Sequence, residues 1–326
     1  MYSTERSFAL DTAAEACRLA GAVQREIVAR SDALTKGDRS PVTMADLAIQ
    51  AVVSRRLAES FPGDPLLAEE DAGALSDSPE MAAKVLDLVR SSMPGLDLDE
   101  IREALDRGDH RGGTPGRYWV LDPIDGTKGF LRGQQYAMAL ALVDRGEVVL
   151  GVLGCPNLAA DAAHQEAGAG CLFVAVRGQG AWQRLAAGGE ETRIHTDSIS
   201  DPSRAVMCES VESAHSAHGD HAAIAARLGI TAQPYRIDSQ CKYAVVSRGE
   251  ASIYLRLPSS KGYREKVWDH AAGAVIAEEA GGRISDLDGH SLDLTSGRFV
   301  GQHRGIIVTN GAIHEQVLAA AREVVG

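Results

Sequence analysis

Asp122-Pro123-Ile124-Asp125-Gly126-Thr127 sets two acids three residues apart around a proline, with a glycine and a hydroxyl directly after. The apolar run Tyr118 to Leu121 should deliver Asp122 to a strand end. Pro123 fixes the turn that follows, and Gly126 lets the backbone approach a ligand closely. Glu69 and Glu70 follow another short apolar run, Leu66 to Ala68, and Asp269 opens an expected helix in Trp268-Asp-His-Ala-Ala-Gly273. If Glu69, Asp122, Asp125 and Asp269 converge, they cannot all stay ionised and bare. Two like charges about 4 Å apart repel by roughly 4 kcal/mol at an effective dielectric of about 20. Protons or cations must neutralise them. Oxygen donors without Cys or His suit a hard ion such as Mg²⁺ better than Zn²⁺. Each acid also has a plainer reading: Asp-Pro starts turns, an Asp can cap a helix, and Glu69-Glu70-Asp71 can sit in a solvated loop.

The acids need elements to hold them. From Ser7 to about Ala33, Phe8, Ala13, Cys17, Ala20, Val23 and Ile27 recur at helical spacing and predict an amphipathic helix. Thr43-Met-Ala-Asp46 resembles a capping box with Asp in place of Glu, predicting a second helix that runs to about Ser60 and stops at Phe61-Pro-Gly63. A helix-rich segment spans Ser78 to Arg107. Ala137 to Val143 and Glu147 to Leu153 flank the turn Asp144-Arg-Gly146 as a hairpin, and Cys171 to Val176 with Ala181 to Arg184 repeat the pattern. Past about Ser200 short strands and helices alternate, among them Ala205 to Cys208, Ala222 to Leu228, Tyr235 to Ile237, Ser252 to Leu257, Asp269 to Ala280, Ile306 to Val308 and Ala312 to Val324. The expected organisation is an α+β metal-binding domain over residues 1–200 and an α/β domain over 201–326.

A chain of 326 residues can bury two cores. Its 33 Lys and Arg against 45 Asp and Glu give a net charge of −12, and no basic stripe runs along the sequence. That argues against a nucleic-acid polymer as partner, while a small anion can bind where cations reverse the local field. No run is apolar enough to span a bilayer, and Glu5, Asp11, Glu15 and Glu26 in the first helix argue against a signal or transit peptide. The five cysteines are scattered without a C-x-x-C, the pattern of buried thiols in a reducing cytoplasm.

Trp119-Val-Leu-Asp-Pro-Ile-Asp-Gly-Thr-Lys-Gly-Phe-Leu-Arg-Gly133 with Trp268-Asp-His-Ala-Ala-Gly273 resembles the lithium-sensitive, Mg²⁺-dependent phosphatases of the inositol monophosphatase superfamily. Leu153-Gly-Cys-Pro-Asn-Leu158, His215-Ser-Ala-His218, Asp238-Ser-Gln-Cys-Lys-Tyr243 and Tyr254-Leu-Arg-Leu-Pro258 are similar to its 3′(2′),5′-bisphosphate nucleotidase branch. That branch converts adenosine 3′,5′-bisphosphate to AMP and phosphate. Ser40-Pro-Val-Thr-Met-Ala-Asp46 and Leu67-Ala-Glu-Glu70 match as well, so the resemblance runs in order over nearly the whole chain. It implies a layered αβαβα sandwich and two or three Mg²⁺ per site. Glu69, Asp122, the carbonyl of Ile124, Asp125 and Asp269 would be metal ligands. Asp46 and Thr127 would position and deprotonate the attacking water, and the backbone of Gly126 and Thr127 would hold the phosphate. His215, Ser239, Lys242 and Arg256 would surround a small phosphorylated nucleotide. The sequence departs from the pattern at Ala68, usually Gly, and at Asp71, commonly Ser. The alternatives are an inositol polyphosphate 1-phosphatase or inositol monophosphatase, and a non-catalytic adenosine-bisphosphate sensor.

The residues add one independent expectation. Arg256 lies in the alternating strand Tyr254-Leu-Arg-Leu257, where an inward charge needs an anion, and a bound phosphate would supply one. His215, His218 and His221, at spacings of three, lie among Ser, Ala, Gly and Asp and read as a ligand-facing polar loop rather than a metal site.

Overall fold

Successive residues of a strand face opposite ways, and in this protein that alternation builds the layers. The computed structural model describes residues 1–29, 40–113, 116–160, 169–211, 218–258 and 264–326. Helices α1 (Ser3–Ala29) and α2 (Ser40–Ser60) lead into strand β1 (Leu66–Ala68), then α3 (Gly73–Asp77), α4 (Pro79–Ser92) and α5 (Leu98–Asp106). Next come β2 (Arg117–Asp125), α6 (Thr127–Leu131), β3 (Ala137–Asp144), β4 (Glu147–Ala159), β5 (Ala169–Val176), β6 (Ala181–Leu185) and β7 (Thr192–Ile194). Strands β1 to β7 form one sheet in chain order, antiparallel throughout except for the parallel pair β1 and β2. The β3–β4 turn is a two-residue hairpin with positive φ at Arg145 and Gly146, the geometry that follows strand twist.

On one face of this sheet Trp119, Leu121, Leu140, Leu142, Leu150 and Leu172 pack under α1 and α2, and α4 and α5 pack in turn against α2. On the other, Tyr118, Val120, Ala139, Ala141, Leu153 and Phe173 meet α8 (Cys241–Ser247) and α9 (Ala271–Glu279). Small residues bring α9 in close: a Cβ at Gly151 would fall 2.6 Å from the Ala272 carbonyl oxygen.

The second sheet has the order β11–β12–β10–β8–β9. Its strands are β8 (Met207–Glu209), β9 (Tyr235–Arg236), β10 (Ile253–Arg256), β11 (Arg283–Ser285) and β12 (Ile306–Thr309). Tyr254 and Val308 turn toward α8 and α9. Ile253, Leu255 and Ile307 turn toward α7 (His218–Leu228) and α10 (His314–Val325). The layers therefore run αβαβα, as the resemblance implied.

Local boundaries differ from expectation in several places. Helix α1 begins at Ser3 rather than Ser7, β4 runs past Leu153 to Ala159, and His218 and His221, expected in a ligand-facing loop, belong to α7, where His221 is buried. Thr43 lies inside α2, so Thr43 and Asp46 do not form an N-terminal capping box. Strand β2 does not stop at Asp122 but runs on to Asp125. Asp269 does not open α9: it closes a short 3-10 turn, Val267–Asp269, and α9 begins at Ala271. The expected extension of the first helix past Ala29 falls outside the described residues. All five cysteines are free and buried. No helix among the described residues is long and apolar enough to cross a membrane.

Candidate active site

The end of β2 carries the first acids. Three steps along β2, from Asp122 to Asp125, match two along β3, from Ala139 to Ala137. That is a bulge of one residue. In a regular strand residues three apart face opposite sides; the extra residue returns Asp125 to the side of Asp122, and both line one cleft of about 510 Å³. Gly126 follows with φ of 92°, and a Cβ there would fall 2.8 Å from Ser239 Cβ, so glycine is required by both conformation and space. Thr127 then begins α6 on the wall of the cleft.

Glu69 enters from the end of β1. Gln50, fully buried in α2, clamps the adjoining backbone: its Nε2 donates to the Glu70 carbonyl at 2.7 Å and its Oε1 accepts from the Glu70 N–H at 3.0 Å. Gln50 lies four residues after Asp46, hence on the same helix face. Arg298 donates to the Ala68 carbonyl at 2.8 Å and stacks over Trp268 at 4.7 Å, with Lys266 also over that ring. Asp71 accepts from the Gly73 N–H in a local turn.

The opposite wall comes from the second half of the chain. Asp238 accepts from Arg132 at 2.6 Å and from the Val211 N–H at 3.0 Å, holding Ser239 in a left-handed conformation, φ 66°. The Gln240 N–H donates to Asp125 Oδ2 at 2.5 Å. The Gln240 side chain donates to the Trp268 carbonyl and accepts from the Gly273 N–H, fixing the turn that presents Asp269. Lys242 is buried with its ammonium 5.3 Å from the centre of the Tyr254 ring. Arg256 shares with Tyr254 the cleft-facing side of β10. The anion that its inward charge requires is supplied within the protein: Arg256 Nε donates to Glu265 Oε1 at 2.7 Å.

Glu69, Asp122, Ile124, Asp125, Gly126, Thr127, Ser239, Lys242, Arg256 and Asp269 thus line a single cleft. Asp46 is buried nearby in α2 and makes no hydrogen bond to Thr127. His215 lies outside the described residues. Gln50, Asp238, Gln240, Glu265 and Arg298 carry no expected role in the sequence reading. Gln50 offered a signal as a lone amide inside the apolar run Leu47 to Val53, and Asp238 and Gln240 lie within the motif Asp238-Ser-Gln-Cys-Lys-Tyr243.

The cleft carries charges of both signs. Burial, then Glu69, Asp125, Asp269 and Asp46, raises the Asp122 carboxyl well above its ordinary range. Burial, then Glu70 and Glu69, does the same at Asp46, and Glu70 is pushed up to about 7 by burial, Glu69 and Asp71. Burial raises Asp125 too, but Lys242, the Gln240 N–H and Arg256 pull against it. Burial lowers the Lys242 ammonium against the opposing pull of Asp125. Burial also works to raise Glu265, but the hydrogen bond from His270 and the charge of Arg256 hold it at about 2.

The acidic cluster fits a hard metal ion. Its donors are carboxylates with a neighbouring carbonyl, and Asp122 Oδ1 and Asp46 Oδ1 are buried without a hydrogen-bond partner among the described residues. Buried polar atoms are seldom left so.

The Inositol monophosphatase family model matches residues 2–325. A 3′(2′),5′-bisphosphate nucleotidase of Oryza sativa is 42% identical, covering 99% of this chain and 95% of its own. One from Emericella nidulans is 40% identical, covering 89% and 90%, and one from Schizosaccharomyces pombe is 38% identical, covering 99% and 96%. Among solved structures, the extragenic suppressor protein SuhB of Bartonella henselae aligns with a TM-score of 0.66 at 19% identity, covering 98% of this chain and 99% of that one. An inositol monophosphatase of Thermotoga maritima aligns with a TM-score of 0.63 at 21% identity, covering 98% and 97%. These solved structures bear on the fold alone. Members of the matched family generally use Mg²⁺. A match of this extent, over a fold with the same layers, leaves one assignment: the chain belongs to the inositol monophosphatase family.

Proposed function

We propose that this protein is a Mg²⁺-dependent phosphomonoesterase that hydrolyses the 3′(2′)-phosphate of adenosine 3′(2′),5′-bisphosphate, giving AMP and phosphate. The observation that carries the reading is a single cleft lined by four carboxylates and, beside two of them, by two cations. The carboxylates, Glu69, Asp122, Asp125 and Asp269, suit a metal and the phosphate to be cleaved. The cations, Lys242 and Arg256, suit a second phosphate on the same small molecule. The cleft of about 510 Å³ is of ordinary size for a small ligand. Relatives around 40% identical carry the same activity in their names.

Glu69, Asp122, the Ile124 carbonyl, Asp125 and Asp269 would hold two or three Mg²⁺. Bound Mg²⁺ supplies a Lewis acid for the phosphoryl oxygens and makes a coordinated water more acidic. The backbone of Gly126 and Thr127 binds the phosphate, and the Thr127 hydroxyl accepts a hydrogen bond from the attacking water. Asp46, buried in α2 beside the cleft, is the carboxylate that would take up the proton that water gives up. Ser239, Lys242 and Arg256, with His215, bind the rest of the nucleotide. Water attacks directly, with no covalent intermediate. We place the boundary between the two structural units near residue 200, and the free buried thiols suit a reducing cytoplasm.

The reading is tested by phosphate release from adenosine 3′,5′-bisphosphate in Mg²⁺ and in EDTA. Release that stops in EDTA and returns with Mg²⁺ supports it; undiminished release in EDTA contradicts it.

A further inference from the structure

Arg256 forms part of two walls. On one side it lines the cleft with Asp125, Lys242 and Asp269. On the other it lines a larger cavity of about 910 Å³ together with Glu265, Arg264, His303 and Arg304. A long arginine side chain between two open spaces has no steric reason to favour one of them.

Glu265 supplies that reason. Its Oε1 accepts from Arg256 Nε at 2.7 Å, and bonding through Nε fixes the plane of the guanidinium and so the direction of its terminal nitrogens. The carboxylate is itself held from several directions. Oε2 lies 3.3 Å from His270 Nε2, and His270 Nδ1 lies 2.9 Å from the Tyr243 hydroxyl. These contacts are all satisfied when His270 carries its proton on Nε2 and donates to Glu265 while the tyrosine donates to Nδ1. The Glu265 carbonyl accepts from the Val300 N–H at 2.9 Å, pinning the backbone as well. His270 and Tyr243 are buried, so the inner half of the chain Arg256–Glu265–His270–Tyr243 is shielded from water. It also touches the acidic cluster: donor atoms of Glu265, Asp269 and His270 lie within 4.8 Å of one another.

We infer that Glu265 is a positioning residue for substrate choice, aiming Arg256 at the second phosphate and holding it in register with Asp269. This inference rests on the proposed function, because it assumes a substrate with two phosphates.

The experiment compares kcat/KM for adenosine 3′,5′-bisphosphate with kcat/KM for adenosine 3′-monophosphate, which lacks the 5′ group. The preference of the wild-type enzyme is the reference. Glu265→Ala should lower this preference by at least about tenfold, mainly through KM for the bisphosphate. Where Glu265→Ala does not fold, Glu265→Gln carries the test: it keeps the length but loses the charge, and the preference should fall by at least about threefold. In the Arg256→Ala background, adding the Glu265 substitution should change the preference by less than about twofold, since nothing is left to aim. A structural role alone would lower both substrates alike and leave the preference intact; that result overturns the inference. So does a further loss of preference in the Arg256→Ala background. A wild-type enzyme with no preference for the bisphosphate would instead sink the functional reading itself, and this inference with it.

Discussion

The Asp125 carboxylate accepts a 2.5 Å hydrogen bond from the backbone N–H of Gln240, joining the bulged end of the large sheet to the turn that enters α8. Asp125 also faces the buried ammonium of Lys242, whereas the charges acting on Asp122 are all acids. The two acids of one motif therefore do different work in the metal-free protein. Asp122→Asn should abolish turnover while the metal-free protein keeps or gains thermal stability, because it removes repulsion. Asp125→Asn should abolish turnover but raise the stability of the metal-free protein less, because Lys242, the Gln240 N–H and Arg256 already offset part of the cost of its charge. Denaturation in EDTA with a turnover assay checks both. Equal stability changes at the two positions would contradict this division.

Chemistry and recognition should separate by mutation. Thr127→Ala and Asp46→Ala should lower kcat strongly with little change in substrate affinity, because activating the water matters only on the way to the transition state. Arg256→Ala should weaken binding of adenosine 3′,5′-bisphosphate by about 2–5 kcal/mol, the usual loss when one member of a buried charge pair is truncated. It should spare small substrates that lack the second phosphate. Steady-state kinetics on both substrates decides; a wild-type response of Arg256→Ala to the bisphosphate would refute the nucleotide-pocket assignment.

Much of this frame is legible in the sequence, and the parts that are not have physical reasons. The hairpin β3–β4 is carried by local signals, alternation and the Asp144-Arg-Gly146 turn. The bulge at Asp122–Asp125 is not, because it exists only in the register against β3. Helix α8 escapes periodicity analysis because all seven of its residues are buried and no polar face marks a helical period. The need of Arg256 for an anion follows from strand alternation, yet Glu265 supplies that anion from nine positions away, and alternation says nothing about contacts at that range. Thr43 looks like a cap because capping boxes are recognised by residue type, while α2 already includes Ser40.

Acid should weaken the second sheet through His314. This buried imidazole, with Nε2 2.8 Å from Ser285 Oγ and Nδ1 3.0 Å from Thr309 Oγ1, has its pKa lowered by burial to about 4. A histidine whose folded pKa is depressed lends stability above its unfolded value, about 6.5, and loses it as pH falls toward the folded value. The wild type should lose up to about 3 kcal/mol between pH 7 and pH 4 through this group. His314→Gln should be the less stable protein at pH 7, with the gap narrowing toward pH 4. Urea denaturation of both proteins at the two pH values measures it; a gap independent of pH would contradict the assignment.

Ion substitution probes the acidic cluster. Activity should require Mg²⁺ and fall with added Li⁺ and with excess Ca²⁺, since Ca²⁺ accepts longer and looser coordination and would misplace the attacking water. A titration of each ion against fixed Mg²⁺ gives the answer. Full activity with Ca²⁺ alone would show that the site does not discriminate by geometry.

The central claim is that one cleft reads two phosphates and removes one. Its most direct test measures phosphate release from adenosine 3′,5′-bisphosphate and from inositol phosphates, side by side, with the same enzyme and Mg²⁺. The presence of Lys242 and Arg256 in one cleft with Glu69, Asp122, Asp125 and Asp269 predicts a clear preference in kcat/KM for the bisphosphate, with AMP as the other product. A wide preference for inositol phosphates, or no release from either, would contradict it.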